Sequence, residues 1–151
     1  MIIGPKTPLQ DVIDFVDREA KDGVRCPCCQ RLVKVYRRKL HREMATFIIH
    51  LVRRYQVTGG WTHVRELDAP GTRKSSTDGA YLVHWGLLER DRHRRYRPTA
   101  DGIEFAMDRL HVSRWVDLRN NEPQDFSEDT VSIVEVLGSP FDYEELMRGA
   151  P

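Results

Sequence analysis

The sequence predicts an α+β fold centred on a helix, a two-stranded ribbon and a second helix, which follow one another between residues 77 and 110. Apolar residues recur at helical spacing before Gly86, which is expected to end the first helix in the left-handed conformation. A strongly charged turn then separates two short runs of strand-forming residues. Pro98 is expected to close the second strand, and Thr99 to cap the second helix.

Elements on both sides of this centre complete the expected fold. Those before it are a helix capped by Thr7 and stopped at Gly23, a strand at Leu32–Tyr36, a long amphipathic helix at Arg37–Gln56, a strand at Trp61–Thr62 and a helix at His63–Leu67. Those after it are a strand at Trp115–Leu118, an acidic loop at Glu122–Asp129, a short helix capped by Thr130 and ended by Gly138, and a last helical turn opened by Asp142. These elements suggest three regions, with residues 1–36, 37–111 and 112–151.

The sequence of residues 86–102 resembles a motif of a known protein family. Gly-Leu-Leu-Glu, a basic turn and Tyr-x-Pro-Thr-x-x-Gly, with a helix on each side, resemble the recognition helix and wing of winged helix-turn-helix regulators of the MarR/PadR type. The resemblance covers residues 40–110. It implies that the segment before the wing enters the DNA major groove and that the basic wing tip lies along the backbone or the minor groove.

Charge is distributed unevenly along the chain. Residues 25–97 carry 17 basic and 6 acidic side chains, whereas residues 98–151 carry 4 basic and 12 acidic ones. Such a basic segment is typical of proteins that bind polyanions, although the same charges could be spread over a solvated surface. The acidic C-terminal region is expected to dock on the basic face, in competition with DNA, or to mediate self-association as a homodimer.

The expected DNA contacts lie beside the helix before the wing and in the wing itself. The candidates are Arg73, Lys74, Ser76, Thr77 and Tyr81 beside the helix, and Arg90, Arg92, Arg94, Arg95 and Arg97 in the wing. The helix begins Asp78-Gly79-Ala80, which offers few long donors to base edges. The sequence therefore favours contact with the phosphate backbone over base readout.

The three cysteines stand together as Cys26-Pro27-Cys28-Cys29. Two residues separate Cys26 from Cys29, a spacing that lets both sulfurs face one tetrahedral zinc ion. The usual zinc ribbon has glycine after the second cysteine, where this chain has Gln30, and no second cysteine pair follows. His41 is the nearest histidine, so a closed site would need His41 or another histidine, Cys28, or a partner chain. The alternative is a group of reduced thiols without metal.

A second resemblance concerns both ends of the chain. The CPCC sequence and the ending Leu-Gly-x-x-Phe-Asp-Tyr-x-Glu-Leu-Met resemble a family of uncharacterised bacteriophage proteins. This implies a phage or prophage origin. No run of apolar residues is long enough to cross a membrane and no secretory signal is present, so the host bacterial cytoplasm is the expected location.

The sequence thus predicts a phage-encoded DNA-binding protein that is not an enzyme. It contains neither a phosphate-cradling glycine loop nor an H-E-x-x-H motif. The alternative function is a protein-interaction module that uses the same fold to bind and redirect a host protein, without DNA. DNA binding with a steep salt dependence would separate the two, because phosphate contacts release counterions.

Overall fold

The computed structural model describes residues 1–67 and 77–148 of the chain, which form a mixed α+β fold. The α-helices of these ranges are α1 (Leu9–Glu19), α2 (Arg42–Thr58), α3 (Ala100–Ala106), α4 (Ile133–Leu137) and α5 (Pro140–Arg148). Two 3-10 helices span Val64–Leu67 and Thr77–Trp85. The strands are β1 (Val24–Arg25), β2 (Leu32–Val33), β3 (Tyr36–Lys39), β4 (Thr62–His63), β5 (Leu88–Arg90), β6 (Arg95–Pro98), β7 (Val112–Ser113), β8 (Trp115–Arg119), β9 (Glu122–Phe126) and β10 (Thr130–Val131). Within the described ranges, the helices are too short or too polar to cross a membrane.

The chain divides into two compact units, and each is made of two separate stretches. The first unit contains residues 1–38 and 116–126, and the second contains residues 39–115 and 127–151. This division differs from the three consecutive regions suggested by the sequence. The expected C-terminal region in particular is shared between the two units.

The first unit contains α1, the antiparallel β1–β2 hairpin and most of a three-stranded sheet with the order β3-β8-β9. Its buried apolar side chains are Val12, Val16, Ala20, Val116 and Leu118. The expectation that Thr7 caps α1 is wrong. Pro8 occupies the N-cap position, and the Thr7 hydroxyl instead accepts a hydrogen bond from the Gly4 N–H at 2.9 Å.

The acidic loop expected at Glu122–Asp129 is largely a strand. β9 pairs with β8 in an antiparallel hairpin, and Asn120 and Asn121 connect the two strands. Both asparagines have positive φ, 52° and 61°. Asparagine tolerates this conformation better than most residues, and two consecutive left-handed residues suit a tight hairpin turn. The acidic side chains of β9 therefore lie on an exposed strand instead of a loop.

The second unit is built around α2. The other elements follow it in the order β4, two 3-10 helices, β5, β6 and α3, and the three strands form an antiparallel sheet with the order β4-β6-β5. The most completely buried side chains of its core come from α2, the second 3-10 helix, the residue just before β5, α3 and α4. They include Ile48, Ile49, Leu51, Val52, Leu82, Leu87, Phe105 and Ile133.

The start of α2 differs from the sequence expectation. Residues 37–39, which were expected to form the basic start of the helix, belong to β3, and α2 begins at Arg42. The basic run 37–39 has no apolar face of its own, so strand pairing decides its conformation. At the other end, Gly59 has a φ of 69° and donates its N–H to the Tyr55 carbonyl at 2.7 Å, as expected for a helix-ending glycine.

The junction between the hairpin and α3 confirms three sequence predictions. Gly86 has a φ of 71° and ends the second 3-10 helix, and Pro98 is the last residue of β6. Thr99 caps α3, with its hydroxyl accepting the Gly102 N–H at 3.1 Å. The Thr99 N–H also donates to the Leu87 carbonyl at 3.1 Å. The segment therefore attaches the start of α3 to the start of the hairpin.

A further contact explains the last residue of the Pro-Thr-x-x-Gly sequence. A Cβ at Gly102 would lie 1.8 Å from the Leu87 carbonyl oxygen, a backbone atom that cannot rotate away. Gly79 occupies a similar position in the second 3-10 helix, where a Cβ would lie 2.3 Å from the ring of Phe47. Both glycines permit a close approach that any larger residue would prevent.

The C-terminal segment packs against α2 within the second unit. Ile133 and Leu137 are buried in the core, and the Tyr143 hydroxyl donates to the Ala106 carbonyl at 2.7 Å. The expected caps are wrong: Ser132 caps α4 by accepting the Glu135 N–H, and α5 begins at Pro140 instead of Asp142. Removing this segment would expose the core.

Replacing Gly102 with alanine tests the close approach at the junction. We expect the Cβ to push α3 away from the Leu87 carbonyl and to lower the free energy of unfolding by about 1–3 kcal/mol, the usual cost of overpacking. Urea unfolding monitored by circular dichroism measures this decrease. Gly60→Ala is the matched control, because nothing lies within 4 Å of its Cβ position. Equal stability of the two variants would contradict the close contact between Gly102 and the Leu87 carbonyl.

Candidate nucleic-acid interface and metal-ligating groups

Asp91 organises the tip of the β5–β6 hairpin. Its carboxylate accepts hydrogen bonds from the backbone N–H of His93 at 2.8 Å and of Arg95 at 3.0 Å, and from the Arg95 side chain at 2.7 Å. The Asp91 N–H also donates to the Arg95 carbonyl at 3.0 Å. Arg94 takes a positive φ of 61° to complete the turn. One carboxylate thus holds a turn that contains several arginines.

The same contacts alter the acidity of Asp91. Desolvation raises the pKa of the carboxyl. The hydrogen bonds from the Arg95 and His93 backbone and the pairing with the Arg95 side chain lower this pKa by a larger amount. The net result is a pKa below the ordinary value for aspartate. The carboxylate therefore stays charged throughout the neutral and mildly acidic range.

Two of the five arginines in the hairpin form ion pairs with carboxylates of the same hairpin. Arg95 pairs with Asp91, and Arg97 pairs with Glu89 across the two strands. The Arg97 guanidinium also lies over the ring of Trp61, 4.5 Å from its centroid. These contacts make Arg97 part of the hairpin structure, where a cation–π contact adds a modest attraction.

The other three arginines are exposed. Within residues 1–67 and 77–148, Arg90, Arg92 and Arg94 make neither an ion pair nor a side-chain hydrogen bond. They therefore place three uncompensated positive charges on one short hairpin. Such charges repel one another unless salt or an anionic partner screens them.

Most of the predicted contacts beside the helix fall outside the part of the chain that the structure describes. Arg73, Lys74 and Ser76 lie outside the described residues, as does the side chain of Thr77. Tyr81 is half-buried, with its ring 6.1 Å from that of His84. Burial, followed by the charge of Arg90, lowers the pKa of His84, so this histidine is neutral at physiological pH.

Folding brings the basic and acidic parts of the sequence together. The second unit contains 15 lysines and arginines and 15 aspartates and glutamates, so its net charge is zero. Arg42 of α2 donates to the Leu137 carbonyl at 2.9 Å and to Asp142 at 2.7 Å, and Arg53 donates to the Leu146 carbonyl at 2.5 Å. Attraction for a polyanion must therefore come from a local surface such as the hairpin tip.

The cysteines occupy the turn of the β1–β2 hairpin in the first unit. The Cys26 N–H donates to the Arg31 carbonyl and the Gln30 N–H donates to the Cys26 carbonyl, each at 2.8 Å. Gln30 has a φ of 63°, the conformation that glycine adopts most easily. The turn therefore keeps its left-handed residue although the usual glycine is absent.

The turn lowers the pKa of one thiol and raises that of its neighbour. Hydrogen bonds from the backbone N–H groups of Cys29 and Cys28 lower the pKa of Cys26. Desolvation, followed by the negative charge of Cys26, raises the pKa of Cys28, even though its side chain is exposed. Cys26 is therefore prepared to act as a thiolate, whereas Cys28 favours the neutral thiol.

His41 lies in a different cluster, within the second unit. Its Nε2 is 3.1 Å from Oδ2 of Asp78, and Glu43 completes a group whose ligand atoms all lie within 4.8 Å of one another. Among residues 1–67 and 77–148, these three side chains form a group whose ligand atoms are close enough together to hold one metal ion. Sequence reasoning missed Glu43 and Asp78, since 35 residues separate them and no spacing rule connects them.

No family model, curated protein or solved structure matches the chain. Its function must therefore be inferred from the geometry of the two units.

Replacing Asp91 with asparagine tests the turn. The variant loses the negative charge and part of the acceptor capacity, so the amides of His93 and Arg95 should exchange with solvent faster, while the melting temperature stays unchanged. In the wild type, Asp91 has a lowered pKa in the folded state. The protection should therefore persist above the ordinary pKa, about 4, and disappear only as the pH falls through the lowered value. Amide exchange measured by NMR reports both effects.

Asp101→Asn is the control, since it removes an exposed carboxylate on α3, outside the hairpin. Unchanged exchange at His93 and Arg95 in the Asp91 variant would show that this carboxylate does not hold the turn.

Proposed function

We propose that the chain is a winged-helix DNA-binding protein that contacts mainly the phosphate backbone through the tip of its β5–β6 hairpin. A phage origin is part of this proposal and rests on the sequence resemblance alone. The protein is proposed to bind without catalysing a reaction. The observation that carries the proposal is the set of exposed and unpaired Arg90, Arg92 and Arg94 on a hairpin whose turn is fixed by Asp91.

The topology of the second unit supports the winged-helix part. A helix, a strand, two further helical segments and a hairpin follow one another, and the first strand pairs with the second strand of the hairpin. That is the arrangement that the resemblance to winged helix-turn-helix regulators implies. The hairpin then corresponds to the wing, and the second 3-10 helix to the recognition helix. A fold alone does not establish a function, so the DNA-binding part of the proposal rests on the charges of the hairpin arginines.

The charge pattern favours backbone contact over base readout. The second 3-10 helix begins with Asp78 and the small residues Gly79 and Ala80, none of which offers a long donor to a base edge. Three guanidinium groups on the wing instead suit phosphate oxygens. Arg95 and Arg97 were also expected to contact DNA, but their ion pairs with Asp91 and Glu89 make a supporting role the better assignment.

The second candidate is a module that binds and redirects a host protein, without DNA. The net charge of zero on the second unit favours it, because most dedicated polyanion binders carry an overall positive charge. The two candidates differ in salt dependence. Neutralised phosphates release counterions, so affinity for DNA falls steeply with salt, whereas protein partners give a weaker dependence.

Replacing Arg90, Arg92 and Arg94 together with alanine tests the proposal. We expect DNA affinity to fall to a similar extent for all sequences, because phosphate contacts carry no base information. The slope of log affinity against log salt should become shallower by ~0.9 for each phosphate that the variant no longer neutralises, and so by up to ~2.7. Fluorescence anisotropy with labelled duplexes over a salt series measures both quantities.

The matched control replaces Arg109, Arg114 and Arg148, which removes the same charge elsewhere in the second unit. These arginines pair with Glu104, Asp129 and Glu144. The control should retain the wild-type salt slope. Equal decreases in affinity in both triple variants would indicate a nonspecific charge effect, and a wild type without affinity at low salt would favour the protein-interaction module.

The cysteine turn of the first unit is proposed to bind zinc through Cys26 and Cys29. The ligands present fit zinc in part. The turn geometry and the lowered pKa of Cys26 favour a thiolate. However, all three cysteines of the chain lie in this one turn, so no second cysteine pair supplies the remaining two of the four ligands. Cys26 and Cys29 would hold the ion, and zinc would supply a structural cross-link at the end of the β1–β2 hairpin. A second copy of the chain is proposed to complete the four ligands, which would make the protein a homodimer.

Elemental analysis of the purified protein tests this assignment. We expect about one zinc per two chains if two copies share the ion, together with a dimer in light scattering. Cys29→Ser should release the ion, because a hydroxyl is a much poorer ligand than a thiolate, and should convert the dimer to a monomer. Cys28→Ser is the control and should retain zinc. A metal-free wild-type protein would remove the hypothesis.

A further inference from the structure

The three cysteines of the β1–β2 turn offer a chemistry that zinc binding does not use. Hydrogen bonds from the Cys26 N–H to the Arg31 carbonyl and from the Gln30 N–H to the Cys26 carbonyl close the turn. Within it, the Cys26 side chain is in hydrogen-bonding contact with the side chains of both Cys28 and Cys29. Thiols held this close can join to one another as a disulfide, as well as share a metal ion.

Access from solvent differs among the three thiols. Cys28 and Cys29 are exposed, whereas Cys26 is half-buried. A dissolved disulfide can therefore reach Cys28 and Cys29 directly. Cys26 is placed to react afterwards, with a neighbour that has already been modified. Access decides this order, because exchange requires the attacking sulfur to reach a disulfide sulfur.

The hairpin around the turn is positively charged. Residues 24–35 contain Arg25, Arg31 and Lys34 and neither aspartate nor glutamate. Arg25 and Arg31 flank the turn, and within residues 1–67 and 77–148 neither of them forms an ion pair. The Arg25 guanidinium stays at the turn, because it donates to the Gln30 carbonyl at 3.0 Å. These cations attract an anionic reagent that comes within about 10 Å, the distance over which salt screens such charges.

We propose that Cys26 and Cys29 undergo reversible exchange with an anionic low-molecular-weight disulfide of the glutathione class, which joins them in an intrachain disulfide. The Cys29 thiolate attacks one sulfur of the reagent and forms a mixed disulfide, and the first glutathione leaves with the proton that Cys29 lost. The Cys26 sulfur then attacks the Cys29 sulfur, which releases the second glutathione with the proton from Cys26. One reagent disulfide is thereby reduced to two thiols, and two protein thiols are oxidised to one disulfide.

Cys29 is a better partner for Cys26 than Cys28 is. A bond from Cys26 to Cys28 would close a ring with Pro27 as its one intervening residue, and the pyrrolidine fixes φ there. The bond to Cys29 closes a ring with two intervening residues, so more backbone torsions can adjust to the narrow geometry that a disulfide requires. Cys28 is therefore expected to remain a thiol.

The exchange regulates the zinc site, and this part of the inference rests on the proposed zinc-bound homodimer. The thiolate is the form of cysteine that binds a metal, and a sulfur bonded to another sulfur is no longer a thiolate. Oxidation therefore releases zinc and separates the two copies, and reduction restores both. Bound zinc in turn protects Cys26 and Cys29, since a coordinated sulfur must leave the metal before it can attack the reagent.

Incubation of the full chain with a glutathione redox buffer and a zinc chelator, followed by acid quenching and mass spectrometry, tests the exchange. The wild type should lose two hydrogens, and its reactive thiols should fall from three to about one. Cys28→Ser should also lose two hydrogens, whereas Cys29→Ser should gain only bound glutathione. A wild type that keeps all its thiols, or that gains glutathione without losing two hydrogens, would overturn the exchange. An intrachain disulfide in Cys29→Ser would overturn the assigned pair.

The rate of the exchange tests the role of the flanking cations. Arg31→Gln should slow oxidation by glutathione disulfide about twofold, the effect of one nearby charge in water at moderate salt. Its rate with the uncharged bis(hydroxyethyl) disulfide should equal that of the wild type. Arg18→Gln is the matched control, because it removes the same charge from α1, where Arg18 pairs with Glu19. Wild-type rates for Arg31→Gln with both reagents would overturn the preference for an anion.

Zinc release distinguishes the exchange from the proposed metal site. Zinc-loaded protein should release its ion to a chromophoric chelator as the disulfide forms, and light scattering should then report a monomer. If the protein binds no zinc but forms the disulfide, the metal site and its regulation are wrong and the exchange remains. If zinc binds but the disulfide does not form in the presence of the chelator, only the exchange and its regulation are wrong.

Discussion

The second unit depends on the close contact between α3 and the peptide that begins the hairpin. The Leu87 carbonyl oxygen lies 1.8 Å from the position that a Cβ at residue 102 would occupy. The same carbonyl accepts a hydrogen bond from the N–H of Thr99. Leu87 itself is completely buried in the core around α2. The hairpin is therefore attached at its base to both α3 and the core. Its tip can carry unpaired cations because the energy that holds it in place comes from the base, where the apolar side chains are buried.

The same arrangement explains how a unit with no net charge can attract an anion. The α4–α5 segment neutralises Arg42 of α2 through Asp142, and its Leu146 carbonyl accepts a hydrogen bond from Arg53, at some distance along the chain from the hairpin. Glu89 and Asp91 neutralise only two of the five arginines in the hairpin. Asp142, Glu89 and Asp91 thus each pair with one arginine, whereas, within the described part of the chain, Arg90, Arg92 and Arg94 remain unpaired on one exposed hairpin. The linear charge profile, with its basic middle and acidic end, did not show that most of both parts belong to one unit whose charges sum to zero.

The sequence predicted the features that depend on a single residue and its near neighbours. Gly86, Pro98 and Thr99 each act through their own backbone conformation or through one hydrogen bond within three residues, so local pattern is sufficient. The features that depend on distant partners were missed or misplaced. Residues 37–39 and Glu122–Phe126 are strands because each pairs with β8 or lies beside it, which no local periodicity reveals. The same reason applies to His41, whose partner Asp78 comes from an element 37 residues away.

The discontinuous first unit has a consequence for the order in which the protein is made. Its N-terminal stretch ends at residue 38, but its sheet needs β8 and β9, which the ribosome adds only after the whole of residues 39–115. The second unit likewise lacks Ile133 and Leu137 of its core until translation is nearly complete. Neither unit can therefore finish folding while the chain is still short. The apolar face of α2 must wait for its last partners, and any fragment released early would expose that face to other chains in the cell.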